Sequence, residues 1–146
     1  MPPAFDLALK CSHLFNQEVE FDPTIDTMLA LPFAKPGSWL LHHDLSLYKY
    51  EQWKDGIGPK HLFDQLQDHE KQVISHASQN IGCLRVPMED YRALEPALVK
   101  SMMMPWTYRL HSFFADRLRP LLAQYWGPAA SAAFEEAHDR WSKESP

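Results

Sequence analysis

The sequence predicts a mainly α-helical fold, a single-domain bundle of five to seven helices. A short β-hairpin or strand around residues 39–53 is an allowed addition to this bundle. Two observations lead to this prediction. Between residues 59 and 141, apolar residues recur every three or four positions, the spacing of one buried helix face. Prolines also punctuate this half of the chain, and proline suits the first turn of a helix. These prolines are Pro59, Pro87, Pro96, Pro105, Pro120 and Pro128.

Residues 1–58 are expected to form an irregular N-terminal portion with short elements. Apolar residues at helical intervals in residues 3–15 predict a short first helix. A second short helix is expected from Asp22 and Pro23, which suit a helix cap and first position, although residues 18–21 alternate as a strand would.

Residues 39–53 are the best candidate for β-structure. Aromatic and aliphatic residues alternate along this segment, which favours a strand. Asp44 could equally cap a helix, so the choice between strand and helix stays open from the sequence.

The predicted core of the bundle spans residues 59–143. A helix over residues 59–79 would bury one apolar face made of Leu62, Phe63, Leu66, Val73, Ile74 and Ala77. Pro87 starts the next helical stretch, and Pro96 within it would kink one helix or begin another.

Two further helix starts complete the predicted bundle. Pro105 would begin a central helix with a broad aromatic face. Gly127 and Pro128 would end that helix and begin the last one, which runs to about Trp141.

Composition narrows the function classes. At 146 residues, 45% hydrophobic and 23% charged, the chain has the size and composition of one globular domain, residues 1–146. A net charge of −5 argues against nucleic-acid binding, which needs clustered Lys and Arg. Cys11 and Cys83 stand far apart, and no long apolar run indicates secretion or a membrane span, so a cytoplasmic protein is expected.

Two charged residues interrupt predicted apolar faces: Glu70 on the helix over 59–79 and Arg117 on the helix after Pro105. Buried charges need partners, so the two are predicted to meet as a buried polar pair. The plainer alternatives are an ion pair at a helix crossing or side chains that reach water at the edge of the face.

Eight histidines are present, but none has a metal-ligand spacing, so no cofactor or metal is predicted. The last third resembles the closing helices of globins in Val86–Tyr91 and in Trp126–Pro128 leading toward Phe134 and His138. That resemblance implies an alternative function, a helical protein that binds haem or another apolar cofactor. His76 or His111 would then be the ligand.

Catalytic signatures are missing, so an enzyme is the least favoured interpretation; it would use Glu70, Arg117 and a histidine as acid–base groups. The preferred hypothesis is a small accessory or interaction protein that binds a protein or peptide partner through an aromatic-rich surface. Such a protein could be a subunit of a larger assembly or enzyme complex. The candidate partner-binding residues are Trp39, Tyr48, Tyr50, Trp53, Met103 and Trp106. Their aromatic and thioether side chains suit binding surfaces.

Overall fold

The computed structural model describes residues 22–43, 58–67, 69–76, 79–103 and 112–143. Within these ranges the chain forms five α-helices and a small three-stranded antiparallel sheet. The helices are α1 (Asp22–Ala30), α2 (Gly58–Gln65), α3 (Glu95–Met102), α4 (Ser112–Tyr125) and α5 (Pro128–Lys143). The strands are β1 (Trp39–His43), β2 (Lys71–His76) and β3 (Gln79–Arg85).

The predicted mainly helical bundle is wrong, because a sheet replaces the second half of the helix expected over residues 59–79. That helix ends at Gln65, and Val73 and Ile74, expected on its buried face, lie on β2 with 54% and 53% of their surface exposed. Their β-branched side chains favour extended structure, and pairing with β3 decides between the two periodicities. The protein is therefore a mixed α/β fold.

A strand does form within the predicted range 39–53, at Trp39–His43, but its partner is distant in sequence. β1 pairs antiparallel with β3, with Trp39 opposite Arg85 and His43 opposite Ile81. The local hairpin is formed by β2 and β3 instead, and the strand order is β1-β3-β2. Residues 44–53 lie outside the described residues.

One face of the sheet packs on the helices through alternate residues of β1 and β3. Leu40 and Leu84 stand opposite each other and are buried. At Gly82 the Phe63 ring of α2 comes so close that a Cβ there would lie 2.5 Å from the ring. The glycine therefore lets α2 approach the sheet more closely than any other residue would allow.

The proline-marked helix starts agree better with the structure. Helix α1 includes Asp22 and Pro23, and α5 begins at Pro128. Pro96 stands in the first turn of α3, just after a short 3-10 turn at Tyr91–Leu94, so it begins a helix rather than bending one. Pro120 lies inside α4. The start expected at Pro105 lies outside the described residues.

The helices meet around Trp126, at the junction of α4 and α5. Its buried indole N–H donates to the carbonyl of Met28 in α1 at 2.8 Å. The Tyr91 ring packs edge-to-face on the indole at 5.1 Å, and the Tyr91 hydroxyl donates to the Tyr125 carbonyl at 2.7 Å. The largest fully buried side chains around this point include Phe134, Met28, Leu31, Leu94, Leu98, Met102 and Leu122.

Glu95 ties the start of α3 to the start of α5. One carboxylate oxygen accepts hydrogen bonds from the backbone N–H groups of Gly127 at 3.1 Å and Ala130 at 3.3 Å. A carboxylate at this end also interacts favourably with the helix dipole. Glu95 therefore acts as a cap supplied by another helix, which satisfies donors that α5 cannot pair internally.

Glu95→Ala should lower the free energy of unfolding by about 1–2 kcal/mol, because the first turn of α5 loses its acceptor. Urea unfolding followed by tryptophan fluorescence measures the change. Glu89→Ala, which removes an exposed carboxylate nearby in sequence, should change stability by less than about 0.5 kcal/mol. Equal effects of the two substitutions would contradict the capping role.

Candidate binding surface

Strand β2 lies at the edge of the sheet, and its backbone alternates between β3 and the outside. The N–H of Arg85 donates to the carbonyl of Glu70 at 2.9 Å, which fixes the alternation. In an antiparallel ladder the groups of every second residue point away from the partner. The N–H and C=O groups of Lys71, Val73 and Ser75 therefore point away from β3, and no strand pairs with this edge among the described residues.

Two apolar side chains, Val73 and Ile74, lie exposed on this edge strand. Val73 and Ile74 project to opposite faces of the sheet, and each is more than half exposed. Edge strands are commonly protected by a lysine that discourages pairing. Here the Lys71 ammonium group donates instead to the Phe63 carbonyl of α2, so its charge is drawn toward the helix.

A pocket of about 210 Å³ lies beside the first residues of β2. Its lining combines Arg85, Glu70 and His69 with the less polar Val86, Pro87, Met88 and Ala93. The Arg85 guanidinium lies over the Trp39 ring, 5.3 Å from its centroid, and Nη1 is 3.5 Å from the Glu70 carboxylate. The pocket therefore presents an oriented cation beside an apolar wall.

Two buried nitrogen atoms of the described residues lack a hydrogen-bond partner, Arg85 Nε and His42 Nδ1. An unpaired buried polar atom is costly and calls for an explanation. Arg85 is one of the residues that line the pocket, and its Nε atom is itself buried. His42 Nδ1 lies in the interior, where His42 is only 1% exposed and packs edge-to-face on Phe63 at 5.5 Å.

The hydrogen bonds around His42 determine which of its ring nitrogens carries the proton. Thr27 donates its hydroxyl proton to the Pro23 carbonyl, so its oxygen accepts from His42 Nε2 at 3.2 Å. The neutral ring then carries its proton on Nε2 and leaves Nδ1 bare. Protonation would create a charged, unpaired N–H in the interior, and burial accordingly lowers the pKa of His42 from 6.5 to about 4.

His42 belongs to a line of buried polar contacts between β1, α1 and α3. Beyond the Thr27 contact, the Thr24 and Ser101 hydroxyls hydrogen-bond at 2.7 Å. All four side chains are almost completely buried. These contacts set the position of α1 between the sheet and α3, because buried polar groups must keep their partners.

The structure gives the predicted pair Glu70 and Arg117 separate neighbours and buries neither. Glu70 is 62% exposed and pairs with Arg85 rather than Arg117. The Arg117 guanidinium lies over the Phe113 ring of α4 at 4.2 Å, on the exposed side of that helix. The broad aromatic face expected for this helix also differs, since Phe113 and Phe114 are half exposed while Ala115, Leu118 and Leu122 are buried.

Of the predicted partner-binding residues, Trp39 lies on β1 with its ring against the Arg85 guanidinium. Met103 lies elsewhere, at the end of α3, where its carbonyl accepts from Arg140 Nη1 at 3.0 Å. Tyr48, Tyr50, Trp53 and Trp106 lie outside the described residues. Partner binding by this set stays a prediction.

Of the two alternative haem ligands, His76 and His111, the structure describes only His76. His76 ends strand β2 instead of standing on the expected helix, and His111 lies outside the described residues. Within the ranges that the structure describes, no three His, Cys, Asp or Glu side chains gather as metal ligands would. Haem binding stays a prediction.

Sequence reasoning missed Val73, Ile74, Arg85 and His42 as residues of interest. The adjacent β-branched side chains of Val73 and Ile74 were the available signal for the first two. The pairing of Arg85 with Glu70 and Trp39 comes from the register of three strands, which no local pattern reveals.

Comparisons with known protein families, curated proteins and solved structures give no match to this chain. None of the helices in the described ranges has the length and apolar character needed to cross a membrane.

The free energy of unfolding should fall as the pH is lowered from about 6.5 to 4, because His42 binds a proton in the unfolded state but stays neutral in the folded state over this range. The stability that neutral His42 supplies is fully present above pH 6.5 and lost below its folded pKa. A shift of this size corresponds to about 3 kcal/mol. Urea unfolding of wild type and His42→Gln across this pH range measures the effect: the difference between their free energies of unfolding should change with pH.

His69→Gln is the matched control, since it removes a partly exposed histidine. It measures how far the difference from wild type varies with pH when the substituted histidine is not buried. A difference for His42→Gln that stays constant between pH 4 and 7 would contradict the buried neutral histidine.

Proposed function

We propose that this protein is an interaction protein that binds an extended segment of a partner protein as an additional strand against β2. The observation that supports this most directly is the β2 edge itself. It offers outward backbone groups at Lys71, Val73 and Ser75 together with exposed Val73 and Ile74. Strand addition uses such groups for affinity and the flanking side chains for selection.

The energetics suit a moderate, reversible interaction. Each backbone hydrogen bond formed on binding contributes about 0.5–1.5 kcal/mol net. Covering the exposed halves of Val73 and Ile74 adds roughly 1 kcal/mol each. Ordering the partner segment opposes these gains, so an affinity in the micromolar range is expected.

The two faces of β2 define the partner segment. Val73 stands opposite Gly82, and Ile74 stands opposite Ile81 on the other face. A bound strand would place neighbouring residues beside both of them. The preferred segment is therefore β-branched or apolar at successive positions, free of proline at the pairing residues.

Displaying a random library of linear dodecapeptides on phage tests the proposal with a defined probe. Selected peptides should be rich in β-branched residues and bind the full chain with micromolar affinity by fluorescence anisotropy. Val73→Pro should weaken this binding at least tenfold. It removes an outward N–H without removing a hydrogen bond to β3, and proline is tolerated at such edge positions.

Phe113→Ser is the matched control, because it removes an equally exposed apolar side chain on α4. Its peptide affinity should equal that of wild type. Far-ultraviolet circular dichroism and thermal melting establish that Val73→Pro remains folded. Equal binding by folded Val73→Pro and wild type would contradict strand addition at β2.

A further inference from the structure

The pocket beside β2 contains an arginine whose hydrogen-bonding capacity is only partly used. Arg85 directs Nη1 to Glu70 at 3.5 Å, a long contact between partly exposed groups. Its Nε–H is buried without an acceptor. Leaving a donor of a charged group unpaired is costly, and an acceptor that reached it would recover that cost.

We propose that this pocket binds a carboxylate through Arg85. The Nε–H and one N–H of Nη2 are parallel donors on the edge of the guanidinium that Glu70 does not contact. A carboxylate matches that edge with two hydrogen bonds, one to each oxygen. The site is separate from strand addition, because the groups that form it do not include the outward backbone groups of Lys71, Val73 and Ser75.

Trp39 and Gly37 prepare the guanidinium for this role. Stacking on the Trp39 ring restricts the plane of the Arg85 head group. Gly37 has φ of 77°, in the left-handed region that favours glycine, and Arg85 Nη2 is 3.7 Å from the point where a Cβ would stand. The missing side chain therefore lets the Met88 thioether lie near Nη2, where a Cβ would collide with it.

Met88 lies over the same space. Its sulfur is 2.5 Å from the position of a Gly37 Cβ, and its side chain is 67% exposed. An unbranched thioether with that exposure can change rotamer at low cost. A change of the Met88 rotamer would widen the space beside Nη2, and the thioether would then pack against the apolar part of the ligand.

The size and charge of the pocket limit the ligand. A cavity of about 150 Å³ accommodates benzene, so a pocket of about 210 Å³ suits an acid of roughly six to eight non-hydrogen atoms. Val86, Pro87 and Met88 provide a wall for its alkyl part. Glu70 opposes a second negative charge, which favours a single carboxylate over a di-acid. Such a group occurs on a free short-chain acid or at the end of a peptide.

Titration of the full chain with sodium butyrate, at constant ionic strength and pH 6.5, tests the site. The Arg85 Nε–H and Trp39 indole N–H resonances should shift in nitrogen-15 NMR spectra, whereas butyramide at equal concentration should leave them in place. Arg85→Lys keeps the charge but loses the parallel donors and should weaken binding at least tenfold. Glu70→Gln removes the opposing charge and should tighten binding about two- to fivefold.

Two control variants match these substitutions. Arg117→Lys alters another arginine stacked on an aromatic ring, and Glu136→Gln alters another exposed carboxylate paired with an arginine. Both should bind butyrate as wild type does. Equal shifts with butyramide, or unchanged binding by folded Arg85→Lys, would overturn the proposal.

A second titration distinguishes the source of the carboxylate. Acetyl-Ala-Val with a free carboxyl end is compared with butyrate, and its carboxamide form serves as the control. Binding at least tenfold tighter than butyrate assigns the site to a peptide end. Weaker or similar binding assigns it to a free acid, and binding of the carboxamide as tight as the acid contradicts the site.

Discussion

The hydrogen bond from the Trp126 indole to the Met28 carbonyl joins parts of the chain that are 98 residues apart. Around it converge α1, the turn that carries Tyr91, and the junction of α4 with α5. Glu95 reaches the same junction and holds the first turn of α5. An unpaired indole N–H at this depth would be costly, so the geometry of the contact constrains how all these elements meet.

The sheet is attached to this helical body by one face. His42 contacts α1 through Thr27, and Gly82 receives the Phe63 ring of α2. Since both contacts involve β1 and β3, the helices hold these two strands and leave the edge of β2 outward. The same arrangement brings Trp39 and Glu70 to either side of Arg85, because β3 lies between their strands. The attachment of the sheet to the helices and the position of Arg85 thus both depend on the central strand, β3.

The sequence predicted most successfully what local chemistry decides. Proline at a helix start acts within one turn, which is why α1, α3 and α5 begin near their prolines. Val73 and Ile74 fit the apolar face of the expected helix, but their β-branched side chains also suit a strand, and pairing with β3 selects the strand. Glu70 was expected to need a cation, and it has one, but the partner follows from strand register rather than from helix geometry. Burial of His42 also depends on contacts distant in sequence.

The position of β3 between β1 and β2 also affects the order in which the chain folds. Only two residues separate β2 from β3, so that hairpin can form locally within microseconds. β1 must instead close a loop that contains residues 44–80, at a larger entropic cost. During that interval both sides of the nascent hairpin present backbone groups. Docking of β1 then covers the free side of β3, so that of the two sides of the hairpin only that of β2 stays open to another chain.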